Sequence, residues 1–217
     1  MDRQTREYIL STNADVILLD IDGTIKDLVR EHQEVLETIV NGFNRGKNLR
    51  RKFVFWLDKI AMSFVKSGML STNRAKQNFL LNLYALILGK NMKDFRNLYN
   101  IFYKQKVIVF DGAKELLEQV PKTKRLYFVT INDQNYNLEE LGIKKEDIIC
   151  VKTKRKLKAY AEIISCNNIN PNKVLIVGDN ISDDIKPAKK LGCKYLLVDN
   201  YNSKIKRMLA KSLNVGM

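Results

Sequence analysis

Two carboxylates follow a short apolar run near the start of the chain. Residues 16–19 are Val, Ile, Leu and Leu. Asp20 follows them directly, and Asp22 and Gly23 follow after one intervening residue. In an extended chain, residues two apart point the same way, and glycine lets the backbone turn sharply after them. Two neighbouring carboxylates repel each other unless oxygen ligands hold a hard cation such as Mg²⁺. The pattern therefore predicts a magnesium site, because an Asp-Gly turn that merely ends a strand would need only one aspartate.

A second acidic segment follows another apolar run. Asp179 stands in the turn after residues 174–178, and Asp183 and Asp184 follow where a helix is predicted to begin. Acidic residues at that position also stabilise a helix through its dipole, which is an ordinary explanation for Asp183 or Asp184. Asp179 precedes the helix, so if the two strands are neighbours it can join Asp20 around one metal.

A hydroxyl ends a third apolar run. Thr130 closes residues 125–130, and Ile131 and Asn132 follow. A hydroxyl with free backbone N–H groups behind it can hold a phosphate oxygen. The same residues are also typical of a simple helix cap.

The elements that must position these residues are short buried strands. Apolar runs without polar alternation occur at residues 15–20, 125–130, 147–151, 173–178 and 194–199, and helical patterns separate the last four. Such runs are typical of strands that are buried on both faces, and strand-helix alternation favours a parallel sheet. We expect an α/β fold, a Rossmann-like parallel sheet core with helices on both faces.

The stretch after the first strand has a different pattern. Amphipathic helices are predicted around residues 35–43, 49–65, 72–88 and 92–103, with no strand between them. We therefore expect residues 1–27 and 106–217 to form the core and residues 28–105 to form an inserted, all-helical cap. The single histidine, His32, lies in a polar run and is expected on a solvated helix surface.

Composition limits the environment and the partners. The chain has 217 residues, a net charge of +14 and three cysteines without metal-site spacing, expected to be reduced and buried. No apolar run is long enough for a membrane span, and the N-terminus does not resemble a secretory signal, so we expect a cytoplasmic protein without a membrane partner. A basic surface favours polyanionic partners, but no nucleic-acid motif is present, and specific nucleic-acid binding is not expected.

Taken together, the motifs resemble those of the haloacid dehalogenase superfamily, in its phosphatase-like branch with a helical cap. The segment DIDGT at residues 20–24 is similar to the first motif, FVTIND at 128–133 to the second, and VGDNISDDI at 177–185 to the fourth. The resemblance covers the chain from about Asp15 to Val198.

The resemblance implies roles for these residues. Asp20 would be the nucleophile and Asp22 the acid and base, while the substrate phosphate would bind at Gly23, Thr24, Thr130, Ile131 and Asn132. Mg²⁺ would be held by Asp20, Asp179 and the backbone carbonyl of Asp22, with Asp184 beside it.

The third motif departs from the family pattern. Relatives carry a lysine followed by proline before the helix that precedes the fourth strand, whereas residues 152–158 here contain lysines and no proline. The family interval to Asp179 favours Lys154 as the lysine that neutralises the phosphate, with Lys156 or Lys158 possible after a small shift.

The resemblance implies a Mg²⁺-dependent phosphate monoester hydrolase that acts through an aspartyl-phosphate on a small phosphorylated metabolite, a sugar phosphate or a nucleotide. A phosphomutase shares the motifs, and a non-catalytic binding protein that keeps the fold is a further alternative. The basic and aromatic residues 45–56 of the predicted cap could contact such a substrate, although packing between helices is the more ordinary role for the aromatics.

Overall fold

The structure is a computed structural model that describes residues 1–43, 48–66, 74–120, 122–131, 138–144, 147–151 and 156–201, with Met208 and Lys211. The chain divides into two compact units, residues 1–27 with 109–217, and residues 28–108. We call the first the core unit and the second the helical unit.

The helices, in chain order, are α1 (Arg3–Ser11), α2 (Leu28–Phe43), α3 (Asn48–Lys66), α4 (Arg74–Leu88), α5 (Met92–Gln105), α6 (Ala113–Gln119), α7 (Lys156–Cys166) and α8 (Lys186–Lys190). The strands are β1 (Val16–Asp20), β2 (Arg125–Thr130), β3 (Ile148–Cys150), β4 (Val174–Gly178) and β5 (Lys194–Leu197).

The strands of the core unit form one parallel sheet in the order β3-β2-β1-β4-β5. The chain runs outward from β1 through β2 to β3 and then returns to the other side of β1 for β4. The carboxyl end of β1 therefore lies where the strand order reverses, which is where parallel α/β sheets bind ligands. The predicted α/β, Rossmann-like fold is confirmed.

Both faces of the central strand are buried, which is why its sequence is continuously apolar. Val16 and Leu18 pack in a cluster with Tyr160 and Ile163 of α7, while Ile17 and Leu19, on the other face, have no exposed surface.

The helical unit contains α2 to α5. Their inward faces share a core, and α2 begins at Leu28, well before the predicted start at residue 35. The core residues are Val35, Leu36, Ile39, Val40, Val54, Leu81, Tyr84, Ala85, Leu88, Phe95, Tyr99 and Tyr103.

The prediction of a solvated His32 is wrong. His32 is only 6% exposed, with Nε2 at 2.7 Å from Oδ1 of Asp58 on α3 and Nδ1 at 2.6 Å from the hydroxyl of Tyr99 on α5. The Tyr84 hydroxyl donates to the same Asp58 oxygen at 3.0 Å. Because buried polar groups are costly unless they are hydrogen-bonded, this network fixes the packing of four helices against one another.

Two further sequence expectations concern the surface. Cys150, Cys166 and Cys193 are free thiols as expected, but Cys150 and Cys166 are exposed rather than buried. Burial raises the pKa of Cys193 to about 11, so its thiol stays protonated near neutral pH. Among the described residues, none of the helices combines the length and apolar character that crossing a membrane requires.

Candidate active site

The first carboxylate of the site is delivered by β1. Asp20 ends this strand at 4% exposure, and the backbone then turns: the N–H of Gly23 donates to the carbonyl of Lys26 at 2.9 Å. Gly23 has φ +83, a left-handed conformation that favours glycine. The side-chain amide of Asn200, just after β5, donates to the carbonyls of Gly23 at 3.1 Å and Thr24 at 2.9 Å. These two hydrogen bonds stabilise the turn.

The neighbouring strand delivers the second acidic group. β4 pairs with β1 in parallel, Leu19 beside Val177, so Asp179 leaves the sheet next to Asp20. The Asn180 side chain then accepts from the N–H groups of Ser182 and Asp183 and caps the π-helical turn Ile181–Ile185.

This turn carries Asp184 back toward the sheet. Asp184 has no exposed surface, and its Oδ2 accepts from the backbone N–H of Asn180 at 3.1 Å. Carboxylate oxygens of Asp20, Asp179 and Asp184 all lie within 4.8 Å of one another. The structure therefore brings together three aspartates that the sequence singled out as metal-binding candidates.

Gly23 and Gly178 leave space for the carboxyl groups of Asp179 and Asp184. A Cβ built on Gly23 would stand 2.6 Å from Oδ2 of Asp179, and one on Gly178 would overlap the carboxyl group of Asp184. Only a residue without a side chain leaves both aspartates in place. Hard oxygen donors gathered in so small a space form a donor set that suits Mg²⁺.

The positive charge of the site comes from the first residue of α7. Lys156 is 3% exposed, and its Nζ donates to Oδ1 of Asp20 at 2.6 Å and to Oδ1 of Asp184 at 2.7 Å. Burial alone would lower the pKa of the Lys156 ammonium, but the carboxylates of Asp184 and Asp20 outweigh burial and hold it well above its ordinary value. A lysine so placed is a permanent cation between two acidic groups.

The pKa of Asp20 is raised, first by burial and then by the acidic groups around it, while Lys156 acts in the opposite direction. The charged Lys156 ammonium, 2.6 Å from the carboxylate, favours the ionised form of Asp20.

The acid and base candidate lies on the other side of β1. β2 pairs with β1 so that Asp20 stands beside Val129, and the next residue, Thr130, donates its hydroxyl to Oδ2 of Asp22 at 3.2 Å. Thr130 is buried and Asp22 is half-buried. The Thr130 hydroxyl, which the resemblance assigns to phosphate, is thus bonded to Asp22 in this structure.

Four residues that were predicted for the site remain to be placed: Lys154, Asn132, Ile131 and Thr24. Lys154 and Asn132 lie outside the described residues, so their predicted roles stay predictions. Ile131 is half-buried at the end of β2. Thr24 is fully buried, and within the described part of the chain its hydroxyl has no hydrogen-bond partner.

Two contributors were not found from the sequence. Tyr160 is fully buried and donates its hydroxyl to Oδ1 of Asp184 at 2.9 Å, the oxygen that Lys156 also contacts. Its position four residues after Lys156 on one helix was an available signal, since such residues share a face. Asn200 gave no comparable signal, because its role depends on the path of the chain after β5.

Solved structures share this fold. The protein YfnB from Bacillus subtilis, a HAD-hydrolase by name with magnesium bound, is 17% identical with a TM-score of 0.62, covering 94% of this chain and 100% of that one. A predicted phosphoglycolate phosphatase from Haemophilus somnus is 15% identical with a TM-score of 0.61, covering 91% of this chain and 92% of that one. Identities this low show likeness of fold alone.

The sequence itself identifies the family. No curated protein sequence matches the chain. The family model of the haloacid dehalogenase-like hydrolases matches residues 14–192, which is most of the chain and includes every residue of the candidate site except Asn200. The protein therefore belongs to the haloacid dehalogenase-like hydrolases.

Proposed function

We propose that the protein is a Mg²⁺-dependent phosphate monoester hydrolase that uses Asp20 as a covalent nucleophile. The observation that carries the proposal is the cluster of Asp20, Asp179 and Asp184, closed on one side by the ammonium of Lys156. Acidic groups at a strand-order reversal, with a buried cation among them, suit a reaction in which a phosphoryl group is held and transferred.

Asp20 is suited to attack phosphorus. A carboxylate oxygen of Asp20 forms a bond to phosphorus, the bond from phosphorus to the ester oxygen breaks, and an aspartyl-phosphate results. The contact from Lys156 to Oδ1 orients the Asp20 carboxylate and favours its ionised form over the protonated one. Burial of Asp20 keeps bulk water from competing for that group.

Asp22 is suited to move the proton. It gives a proton to the leaving alkoxide and later takes one from the water that attacks the phosphorus of the aspartyl-phosphate. The bond from phosphorus to the Asp20 oxygen then breaks, inorganic phosphate leaves, and the Asp20 carboxylate is restored. The hydroxyl of Thr130 holds Asp22 by one oxygen, Oδ2, at 3.2 Å. That bond fixes the orientation of the Asp22 side chain, the requirement for proton transfer at a defined atom.

Lys156 fills the electrostatic role that the spacing to Asp179 had favoured for Lys154. A dianionic phosphate beside several aspartates needs compensating charge, and Lys156 reaches both Asp20 and Asp184. Residues 152–158 contain no proline, so the sequence does not fix where α7 begins relative to the lysine, and a shift of two residues is compatible with it.

Magnesium would be held by Asp20 and Asp179, with the backbone carbonyl of Asp22, and Asp184 beside them. When bound, the ion stabilises negative charge on the transferring phosphoryl group. The magnesium in the YfnB structure supports this choice of ion. We propose a small phosphorylated metabolite, a sugar phosphate or a nucleotide, as the substrate, and the name of the Haemophilus somnus protein supports a phosphate ester.

The direct test is hydrolysis of p-nitrophenyl phosphate by the purified protein with Mg²⁺, compared with the same protein after removal of the metal with EDTA. We expect turnover that requires Mg²⁺ and is absent from Asp20→Asn. No turnover of this ester or of a panel of sugar phosphates and nucleotides, with Mg²⁺ binding intact, would favour a binding protein instead.

A further inference from the structure

Helix α3 has apolar side chains on two opposite faces. Its inner face contributes Val54, Ala61 and Met62, which are buried in the helical unit. The opposite face exposes a second apolar set, here called the outer stripe: Leu49 at 83%, Phe53 at 50%, Trp56 at 58%, Ile60 at 38% and Phe64 at 44% exposure. Packing inside the helical unit explains the first set and leaves the second set unexplained. Of the aromatics expected to pack between helices, Phe55 packs against the helical core, whereas Phe53 and Trp56 are exposed.

The outer stripe is continuous. At about 100° per residue its five members lie within an arc of about 80°, and at 1.5 Å per residue they extend over about 22 Å of the helix. Phe53 and Trp56 stack on each other, with ring centroids 5.7 Å apart and an angle of 19° between the planes. Scattered apolar residues are normal on protein surfaces, but a contiguous stripe of this length is typical of an interaction site.

The exposed charges that α3 itself places beside the outer stripe have one sign. Lys52 and Lys59 lie along one edge at the same helical spacing, Arg50 lies along the other, and all three are exposed. The only acidic residue of α3 is Asp58, which faces inward and is bonded to His32 and Tyr84. The residues of α3 itself therefore flank its exposed apolar groups with cations alone, and Glu37 of α2 lines a pocket together with Lys59.

We propose that the outer stripe of α3 docks the protein onto an anionic lipid bilayer. A helix that presents Trp, Phe and Leu between rows of Lys and Arg lies in the membrane interface, with its apolar side chains among the acyl chains and its cations at the headgroups. Anionic lipids attract the flanking cations and the net charge of +14. The protein thus binds the bilayer surface without spanning it, contrary to the sequence-based expectation of no membrane partner.

Other occupants fit the stripe less well. In a symmetric dimer through this face, Lys52, Lys59 and Arg50 of two copies would be brought together without an acid on α3 to offset them. Single-stranded nucleic acid stacks its bases on aromatic rings. Here Phe53 and Trp56 already cover one face of each other, and Leu49 and Ile60 offer no stacking surface.

Trp56 is the only tryptophan of the chain, so its fluorescence reports on the outer stripe alone. The full-length protein is titrated with vesicles of phosphatidylcholine mixed with phosphatidylglycerol, and with vesicles of phosphatidylcholine alone. We expect a blue shift of the emission and quenching by brominated acyl chains with the anionic vesicles, and weaker binding as salt is added.

Paired variants separate the outer stripe from the general basic charge. Phe53→Ser with Ile60→Ser should weaken vesicle binding by at least about tenfold, because the two substitutions remove apolar side chains that would be buried among the acyl chains. Met92→Ser with Ile101→Ser, exposed on α5 at 43% and 55%, is the matched control and should leave binding unchanged. Lys52→Glu with Lys59→Glu should weaken binding more than Lys114→Glu with Lys122→Glu, which makes the same charge change outside α3.

Circular dichroism verifies that each variant is folded. The proposal is overturned if Trp56 emission stays unchanged with anionic vesicles, or if the two pairs of apolar variants behave alike. It is also overturned if Phe53→Ser with Ile60→Ser abolishes a dimer seen by sedimentation, or binding to an oligonucleotide, while vesicles have no effect.

Discussion

Lys156 Nζ lies 2.6 Å from Asp20 Oδ1, and both side chains are almost completely buried. The contact joins the end of β1 to the first residue of α7, which are 136 positions apart in the sequence. Because a buried charge without a partner is costly, each of the two groups depends on the other to keep its charge.

Replacement of Lys156 by Met should remove the cation while preserving much of the side-chain volume. We expect kcat for p-nitrophenyl phosphate to fall by about two orders of magnitude or more, the usual effect of losing an electrostatic stabiliser. The matched control is Lys158→Met, since the Lys158 side chain is 80% exposed and pairs only at 3.6 Å with Glu162. If Lys154→Met is the variant that abolishes turnover and Lys156→Met is active, the assignment of the lysine to Lys156 is wrong.

Gly178→Ala should disturb the metal site without removing any acidic group. Its Cβ would overlap the Asp184 carboxyl group, so Asp184 must move and lose its contact with Lys156. We expect Mg²⁺ affinity, measured by isothermal titration calorimetry, to fall by about tenfold or more.

The control for Gly178→Ala is Gly42→Ala, where a Cβ meets nothing within 4 Å. That variant should keep the affinity of the unmodified protein. Equal affinities of Gly178→Ala and Gly42→Ala would show that Asp184 does not take part in the metal site.

Tyr160→Phe should show whether this tyrosine positions Asp184. The hydroxyl donates to Asp184 at 2.9 Å, so its loss should lower Mg²⁺ affinity by about tenfold while costing about 1 kcal/mol of the free energy of unfolding. Tyr127→Phe makes the same change at an exposed bond of 3.5 Å to Asn167 and should alter neither quantity. A positioning role is refuted if Tyr160→Phe lowers stability but leaves Mg²⁺ affinity unchanged.

In the helical unit, Asp58→Ala should be strongly destabilising. Its carboxylate is the shared partner of His32 at 2.7 Å and Tyr84 at 3.0 Å, and its removal leaves both buried groups with a missing partner. We expect a loss of about 3 kcal/mol in the free energy of unfolding, measured by urea denaturation.

For comparison, Arg30→Ala breaks an exposed ion pair with Glu34 on α2 and should cost less than about 1 kcal/mol. If Asp58→Ala is no more destabilising than Arg30→Ala, the buried network does not hold the four helices together.

The sheet and its acidic edge could be predicted because their signals are local. A strand buried on both faces, such as β1, is continuously apolar, and the residues after it must emerge at the carboxyl edge. Asp20 and Asp179 therefore lie close together if β1 and β4 are neighbours. The structure shows that these two strands pair in parallel.

The residues that escaped prediction depend on long-range pairing. His32 lies in a polar run, and its partner Asp58 is 26 residues away on another helix, so the periodicity of α2 cannot reveal its burial. The choice between Lys154 and Lys156 depends on where α7 begins, and without a proline nothing in the sequence fixes that point. Periodicity also could not predict the outer stripe. Helix α3 has two apolar faces, and the spacing of its apolar residues does not show which face packs in the core and which stays exposed.

The covalent step on Asp20 is tested most directly by trapping the intermediate. The protein is quenched with acid during turnover of p-nitrophenyl phosphate with Mg²⁺ and reduced with borohydride, which converts an aspartyl-phosphate to homoserine, and its peptides are analysed by mass spectrometry. We predict homoserine at position 20 in the unmodified protein and none in Asp20→Asn. Turnover without homoserine at position 20, or its appearance at another aspartate, would contradict the account.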